Sequence, residues 1–429
     1  MKNKKYKPFL IDKRIDVDNL LTIFNEEYRI TGKRDYKLLY RTFISESLFD
    51  TYTYHFKKCD NSYFLMFYGK SYFRADHQKT FLDFANNFNF ADVICAKRVE
   101  GKRKAHPLRF LKYQLLSFIW VLQLLFRGVK LKDSVAHLSL LVTCKETEKY
   151  IKKIDFSKYF FVVSYYDMAP DQNYFIQYCN SKNIRTMTLQ HGIFARKSNI
   201  TIINDMAVEF TESPSNYYLA WNQYTKDEAM KVGIPENKII VLGIPRYSCF
   251  DEPSTRQTEK KNCFGVMLNG KNFCLHNKKL IDMANKIYLI SGIKFYLRYH
   301  PSLKGDEYAS MCESGYIGNL SNKDTIQDYI SCVDFTIISS SSVFVDLIFL
   351  KHPVYRLIVS DDDTYSNVEE HSFSNEEELI NCINKDGNGD SDEILFKYLC
   401  TGYNTIEKYR DFFDKTKNEL SISREKGSK

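Results

Sequence analysis

The stretch Thr336–Val354, TIISSSSVFVDLIFLKHPV, decides how this chain is read. Phe335–Ser339 has the β-branched, apolar character of a short buried strand, and Val343–Leu350 that of an amphipathic helix. A second β-rich run, Val354–Val359, follows at once. Strand, turn, helix and strand in such short order form the repeating unit of a parallel sheet flanked by helices. The turn between them is unusual, because Ser339, Ser340, Ser341 and Ser342 stand in a row. A serine at a helix start caps free backbone N–H groups. The same N–H groups, at the positive end of the helix dipole, hold a phosphate. Capping accounts for one or two serines, and the full run points to phosphate contact.

Working outward, the same alternation extends both ways. Upstream of this stretch, Cys263–Leu268 and Ile293–Tyr299 read as strands, with helices over Leu275–Ile290 and Asp324–Cys332. In the first half, strands are expected at Tyr63–Tyr68, Ala91–Ala96, Tyr159–Ser164, Thr186–Leu189 and Tyr217–Trp221. Helical stretches between them include Leu108–Phe126, Ser134–Ile154 and Gln172–Ser181. A polar break, DEPSTRQTEKKN, separates the two series. The expectation is therefore an α/β chain with two doubly wound domains: residues 1–250, a linker at 251–262, and residues 263–429 with terminal helices after Asn375. Ligands of such sheets bind beyond the carboxyl ends of the strands, so two facing domains would make a cleft between them.

Composition agrees with an ordered globular chain. Of 429 residues, 44% are hydrophobic and 27% charged, which excludes wholesale disorder. Lys and Arg number 61 against 53 acidic residues, a net +8 that suits an anionic ligand or membrane surface. The 11 cysteines form no C-x-x-C pair, so zinc-ribbon and thioredoxin-like readings have no support. The N-terminus is basic without the apolar core of a signal peptide, and the expected location is cytoplasmic. No G-x-x-x-x-G-K-[ST] occurs, and the dispersed charge carries no nucleic-acid-binding motif. Asp361–Asp363 sit in an acidic, surface-like run, so no metal site is expected there.

Three further motifs lie at strand ends. Gln190–His191–Gly192 follows the strand RTMTL, and the glycine lets the chain turn sharply enough to aim His191 above the sheet. An imidazole there is suited to take a proton from a hydroxyl. Arg298–Tyr299–His300–Pro301 closes another strand and leaves His300 at the rim, where it suits a diphosphate oxygen. Gly243–Arg246, in the Gly-Ile-Pro-Arg loop just before the linker, should face the cleft, with Arg246 able to reach an anion or to serve a hinge.

These motifs occur in an order: QHG after a strand, W-x-x-x-T-K-D, then G-I-P-R, a strand ending in HP, and D-F-x-I-x-S-S-S-S-V-x-x-D with K-x-P-V beyond. Over residues 159–359 the chain resembles the GT-B-fold transferases of bacterial surface polysaccharides. Closest are the CDP-glycerol glycerophosphotransferases and the CMP-Kdo and CMP-sialic acid capsule transferases. The resemblance implies a GT-B fold of two facing Rossmann-like domains and a nucleotide-activated donor, CMP or CDP type rather than UDP. It also implies a lipid-linked or oligosaccharide acceptor, a sugar or polyol phosphate as the transferred group, and no metal or cofactor. His191 corresponds to the proposed base, His300 to a donor-phosphate contact, and Ser341 and Ser342 to a serine pair before the last helix. The chain departs from the pattern at Ser339, where the glycerophosphotransferases usually carry Asp. A UDP-sugar 2-epimerase, or a non-catalytic membrane-associated scaffold on the same fold, remains the alternative.

One segment stands apart. Pro107–Phe126, PLRFLKYQLLSFIWVLQLLF, is the most apolar stretch, and Tyr113–Phe126 carries no charge. A bilayer needs about 20 apolar residues. Basic flanks, including Lys102, Arg103 and Lys104, surround it. A buried helix, an interfacial helix on an anionic leaflet and a membrane span are all open from the sequence.

Overall fold

The computed structural model describes residues 10–21, 35–49, 51–71, 74–99, 104–194, 211–249, 260–270, 273–303, 307–321, 325–339, 341–359, 364–365, 368, 371–385 and 389–427. Of the linker expected at 251–262, only 260–262 fall within these residues, and Ser340, Lys102, Arg103 and Asp361–Asp363 lie outside them.

Two sheets organise the chain. The first contains β1 (Tyr52–Lys57), β2 (Phe64–Tyr68), β3 (Ala91–Arg98), β4 (Phe161–Ser164), β5 (Arg185–Leu189), β6 (Tyr217–Ala220) and β7 (Ile239–Val241). Their spatial order is β1-β3-β2-β4-β5-β6-β7, parallel throughout except for β1 against β3. The second contains β8 (Cys263–Met267), β9 (Lys294–Arg298), β10 (Tyr316–Asn319), β11 (Phe335–Ile338), β12 (Val354–Leu357) and β13 (Ser372–Phe373), ordered β10-β9-β8-β11-β12-β13 and all parallel. That is the doubly wound order in which the chain reverses direction between its first and fourth strands.

Burial follows the pleat. In β2, Leu65 and Phe67 face one hydrophobic layer and Phe64, Met66 and Tyr68 the other, and all five residues are buried. The first layer is closed by the helices Pro107–Phe126, Leu138–Ile151 and Pro170–Asn180 through Trp120, Leu141 and Phe175. The second is closed by Ala75–Ala85 and by the final helix, Thr405–Gly427, which crosses back from the second sheet. Tyr409 and Phe413 of that helix are fully buried against Phe64, Phe84 and Phe161. Tyr63 donates to Asp414 at 2.6 Å, and Arg424 donates to the Tyr159 carbonyl at 2.6 Å.

Edge strands account for most of the difference from the sequence expectation. β1 alternates between half-buried and exposed residues, so YTYHFK lacks the continuous apolar run of an interior strand. β10 has the same alternation with Gly318 in its middle, and β13 is two residues long. The helix expected over Asp324–Cys332 is confined to Ile326–Ile330, opened by a Thr325–Asp328 capping box.

The two units meet through a shared cluster in which Trp221, Tyr224, Ile244 and Tyr247 pack with Met267, Phe344, Val345 and Phe349. The carboxyl-end rims of the two sheets thereby face one another. The architecture is α/β with two facing Rossmann-like units, the GT-B arrangement.

Candidate functional site

In the first sheet the winding reverses between β2 and β4, and the loops after these strands diverge to leave a crevice. The start of the helix Pro170–Asn180 bolts both loops in place. Asp171 accepts the N–H groups of Lys70 and Ser71 after β2, and its carboxylate lies so close to Gly69 that no Cβ fits there. Gln172 accepts the N–H groups of Tyr165 at 3.1 Å and Tyr166 at 3.0 Å after β4. The result is a cavity of about 180 Å³ lined by Tyr68, Ser71, Arg74, His77, Tyr165, Tyr166, Gln172 and His191.

His191 arrives from the neighbouring strand, β5. Gln190 holds the turn rigid: its Oε1 accepts the Trp221 N–H at 2.7 Å, its Nε2 donates to the Gly192 carbonyl at 2.6 Å, and its own carbonyl accepts the Trp221 indole N–H at 2.7 Å. The imidazole of His191 lies 3.8 Å from the Tyr166 ring centroid and 6.4 Å from that of His77. Burial, with His77 and Arg74 nearby, pushes His191 down to about 3, and burial with Arg74 pushes His77 down to about 4. Both rings are therefore neutral at pH 7. Arg74 pairs with Asp76 at 2.6 Å.

The second sheet reverses between β8 and β11, and its crevice is built by the loops after those strands. Ser339 is fully buried there and bridges them, its Oγ accepting from Asn269 Nδ2 and lying 3.4 Å from His276 Nδ1. Asn269 is held in turn by Asn277, which accepts its N–H at 2.7 Å and donates to its carbonyl at 3.0 Å. His300, after β9, sits beside Gly270, where an added Cβ would stand 3.4 Å from His300 Nδ1. His300 Nδ1 accepts the Ser302 backbone N–H at 3.1 Å, which places the proton of a neutral ring on Nε2. Burial lowers the His300 pKa, and Arg74 of the opposite unit lowers it further. The Arg74 charge thus bears on both His191 and His300, with its partner Asp76 opposing it at His300.

Ser341 and Ser342 form the entry to the helix Val343–Phe349, with Ser341 Oγ 3.4 Å from the Val343 N–H. Arg246 is built into the junction: it pairs with Asp346 at 2.7 Å, lies 5.0 Å from the Trp221 ring and reaches the Ser342 carbonyl at 3.4 Å. Gly243 has φ +105°, a Cβ added there would stand 2.7 Å from Thr405 Oγ1 of the final helix, and its carbonyl accepts from Tyr409 at 3.2 Å. Lys104 is exposed at the foot of the helix Pro107–Phe126.

The structure therefore sets His191 in the crevice of the first sheet and His300 beside Gly270 in that of the second, where Ser339 is joined to Asn269. Arg74, His77 and Tyr166 were not among the sequence candidates. Their only signal is position after β2 and β4, and it becomes informative once the strand order identifies those two strands as the switch pair. Among the described residues, no group of three His, Cys, Asp or Glu side chains is placed to hold a metal ion.

No protein-family model matches the chain, and no curated protein matches it in sequence. Among solved structures, a variant of the wall teichoic acid polymerase TagF is similar over 96% of this chain and 100% of its own, with 12% identity and a TM-score of 0.41. The UDP-N-acetylglucosamine 2-epimerase of Rickettsia bellii is similar over 84% of this chain and 96% of its own, at 11% identity and TM-score 0.47. The UDP-GlcNAc 2-epimerase of Neisseria meningitidis, bound to UDP-GlcNAc, is similar over 82% and 98%, at 12% identity and TM-score 0.47. Likeness at this level assigns no activity, and the fold stands on the strand order and the facing rims described above.

Proposed function

We propose that this chain is a transferase that moves a sugar or polyol phosphate from a nucleotide-activated donor to a growing bacterial surface glycan, at the cytoplasmic face of the cell membrane. The observation that carries this reading is the pairing of two switch-point crevices in facing units, with His191 at the first and His300 beside Gly270 at the second. In this reading the unit formed by residues 1–250 receives the acceptor, and residues 263–429 hold the donor nucleotide.

His191 takes the proton of the acceptor hydroxyl as that oxygen bonds to the transferred group and the bond to the nucleotide phosphate breaks. A neutral ring is the form that accepts a proton. With a pKa near 3 it is a weak acceptor in the empty cleft. Burial is the main cause of that low value, and an anionic donor bound beside the ring favours its protonated form, which raises the basicity of His191 as the donor binds. His300 Nε2–H, Ser341, Ser342 and the backbone around them stabilise the charge left on the departing phosphate, without a divalent ion. The sequence resemblance favours a cytidine nucleotide over a uridine one.

The decisive experiment is a thermal-shift screen of CMP, CDP, UDP and GDP, followed by turnover with and without an oligosaccharide acceptor. A nucleotide at about 100 times its dissociation constant adds about 2.7 kcal/mol of stability. Binding of a nucleotide and acceptor-dependent, EDTA-insensitive release of it support the proposal. Consumption of a nucleotide sugar with no acceptor selects the epimerase, and binding of none selects a scaffold.

A further inference from the structure

The helix Pro107–Phe126 is 20 residues long and apolar enough, by length and composition, to cross a membrane, yet most of it is not covered by protein. Its buried stripe is Tyr113, Ser117, Trp120 and Leu124, spaced 4, 3 and 4. A second apolar stripe, Leu108, Leu111, Leu115, Phe118, Leu122 and Phe126, lies on the opposite side at about 100° per residue. It is open to solvent, with Leu108 85%, Phe118 67% and Phe126 89% exposed. A helix docked in a soluble domain ordinarily turns a polar face outward, and this one is apolar on both.

The buried stripe rules out crossing a bilayer in the folded chain. Trp120 and Leu124 are fully enclosed in the core of the first unit, Tyr113 donates to Glu146 at 2.5 Å, and Arg109 donates to the Glu46 carbonyl at 2.7 Å. What covers the open stripe is indicated by charge. Between Lys97 and Lys132 the sequence holds ten Lys and Arg residues and one acidic residue, Glu100, against 61 and 53 over the whole chain. Lys104, Lys112 and Lys130 are exposed around the helix. Arg109 pairs with Glu146 and Arg127 with Asp18, so the exposed lysines carry the basic excess. Lysines beside an open aliphatic and aromatic face complement an anionic lipid surface, whereas a second copy of the same face would set like charges against each other.

We propose that this face is a membrane-docking surface, with the helix lying in the plane of an anionic leaflet and its open stripe among the headgroups and upper acyl chains. The first turn lies close to the first-unit cavity, because Glu46 meets both Arg109 and Lys70, at 3.8 Å for the latter, and Ser71 lines the cavity. A membrane so placed brings lipid-linked molecules to that cavity. The docking itself is independent of which reaction the cleft performs.

The test is co-sedimentation of the full chain with vesicles of phosphatidylcholine alone and of phosphatidylcholine with phosphatidylglycerol. Binding to the anionic vesicles, lost in Leu115→Glu/Phe118→Glu with an unchanged melting temperature, is the expected result. A Lys104→Gln/Lys112→Gln/Lys130→Gln variant keeps the question open to measurement should the first variant misfold. It should bind about fivefold more weakly per charge removed. Wild-type chain that ignores anionic vesicles, or variants that bind as well as wild type, overturn the proposal. So does a stable dimer that Leu115→Glu/Phe118→Glu dissociates in the absence of vesicle binding.

Discussion

Arg246 and Asp346 meet across the junction of the two units, Nη2 to Oδ1 at 2.7 Å, and Tyr247 donates to the same carboxylate oxygen at 2.6 Å. Arg246 follows the last strand of the first sheet, whereas Asp346 lies in the first turn of the helix that follows the serine run. The pair therefore ties the helix after the serine run to the first unit. Replacing Arg246 with Ala should cost about 2 kcal/mol, since it leaves a partly buried carboxylate short of its cation. A double-mutant cycle with Asp346→Ala should return a coupling of about 1–3 kcal/mol. Additive losses in urea unfolding would show that the two side chains are merely adjacent.

His191→Ala should lower turnover by about 10²–10⁴ while leaving nucleotide affinity close to wild type, because the ring belongs to the crevice of the first unit. Single-turnover kinetics and calorimetry on the same preparation separate the two effects. Retained turnover would remove His191 from the mechanism.

His300→Ala should do the converse, weakening nucleotide binding by about tenfold, the loss of one hydrogen bond to a charged group. Ser339→Ala acts on the same crevice indirectly. It removes the acceptor of Asn269 Nδ2 at a buried position, so a stability loss of about 1–2 kcal/mol should accompany any change in affinity. Equal nucleotide affinity in wild type and His300→Ala would move the donor away from the second sheet's switch point.

Acid should destabilise the fold through its buried histidines. His352, with Nε2 2.9 Å from Thr336 Oγ1, is pushed down to about 4 by burial, and His77 and His191 behave alike. An unfolded histidine titrates near 6.5. Between that value and about 4 for His352 and His77, or about 3 for His191, the unfolded chain takes up protons that the folded chain refuses, so stability falls as pH drops through this window and levels off only below about 3. The urea midpoint should be lower at pH 5 than at pH 7, and His352→Gln should reduce that difference. An identical pH dependence in the variant would mean that His352 is protonated at no cost in the fold.

The reading of the chain from residues alone reached the strands that are buried on both faces, because YFLMFY and CFGVML are apolar without interruption, ADVICA is broken only by Asp92, and all three are bounded by turns. It placed His191 and His300 at strand ends because each follows a strand and stands beside a residue, Gly192 or Pro301, that turns the backbone. β1, β10 and β13 escaped it, since a strand covered on one face or only two residues long leaves little hydrophobic pattern. Tertiary structure decided the rest. Strand order is set by which helices cross which face, and only that order marks β2 with β4 and β8 with β11 as the switch pairs, bringing Arg74, His77 and Tyr166 to His191, and Asn269 to Ser339. The same holds for the helix Pro107–Phe126: its hydrophobicity is a property of the sequence, but a helix with two opposite apolar faces has no intrinsic inside. Packing of the face with Tyr113, Ser117, Trp120 and Leu124 against the helices Tyr36–Leu48, Leu131–Ala136 and Leu138–Ile151 chose one face for the core and left the other uncovered.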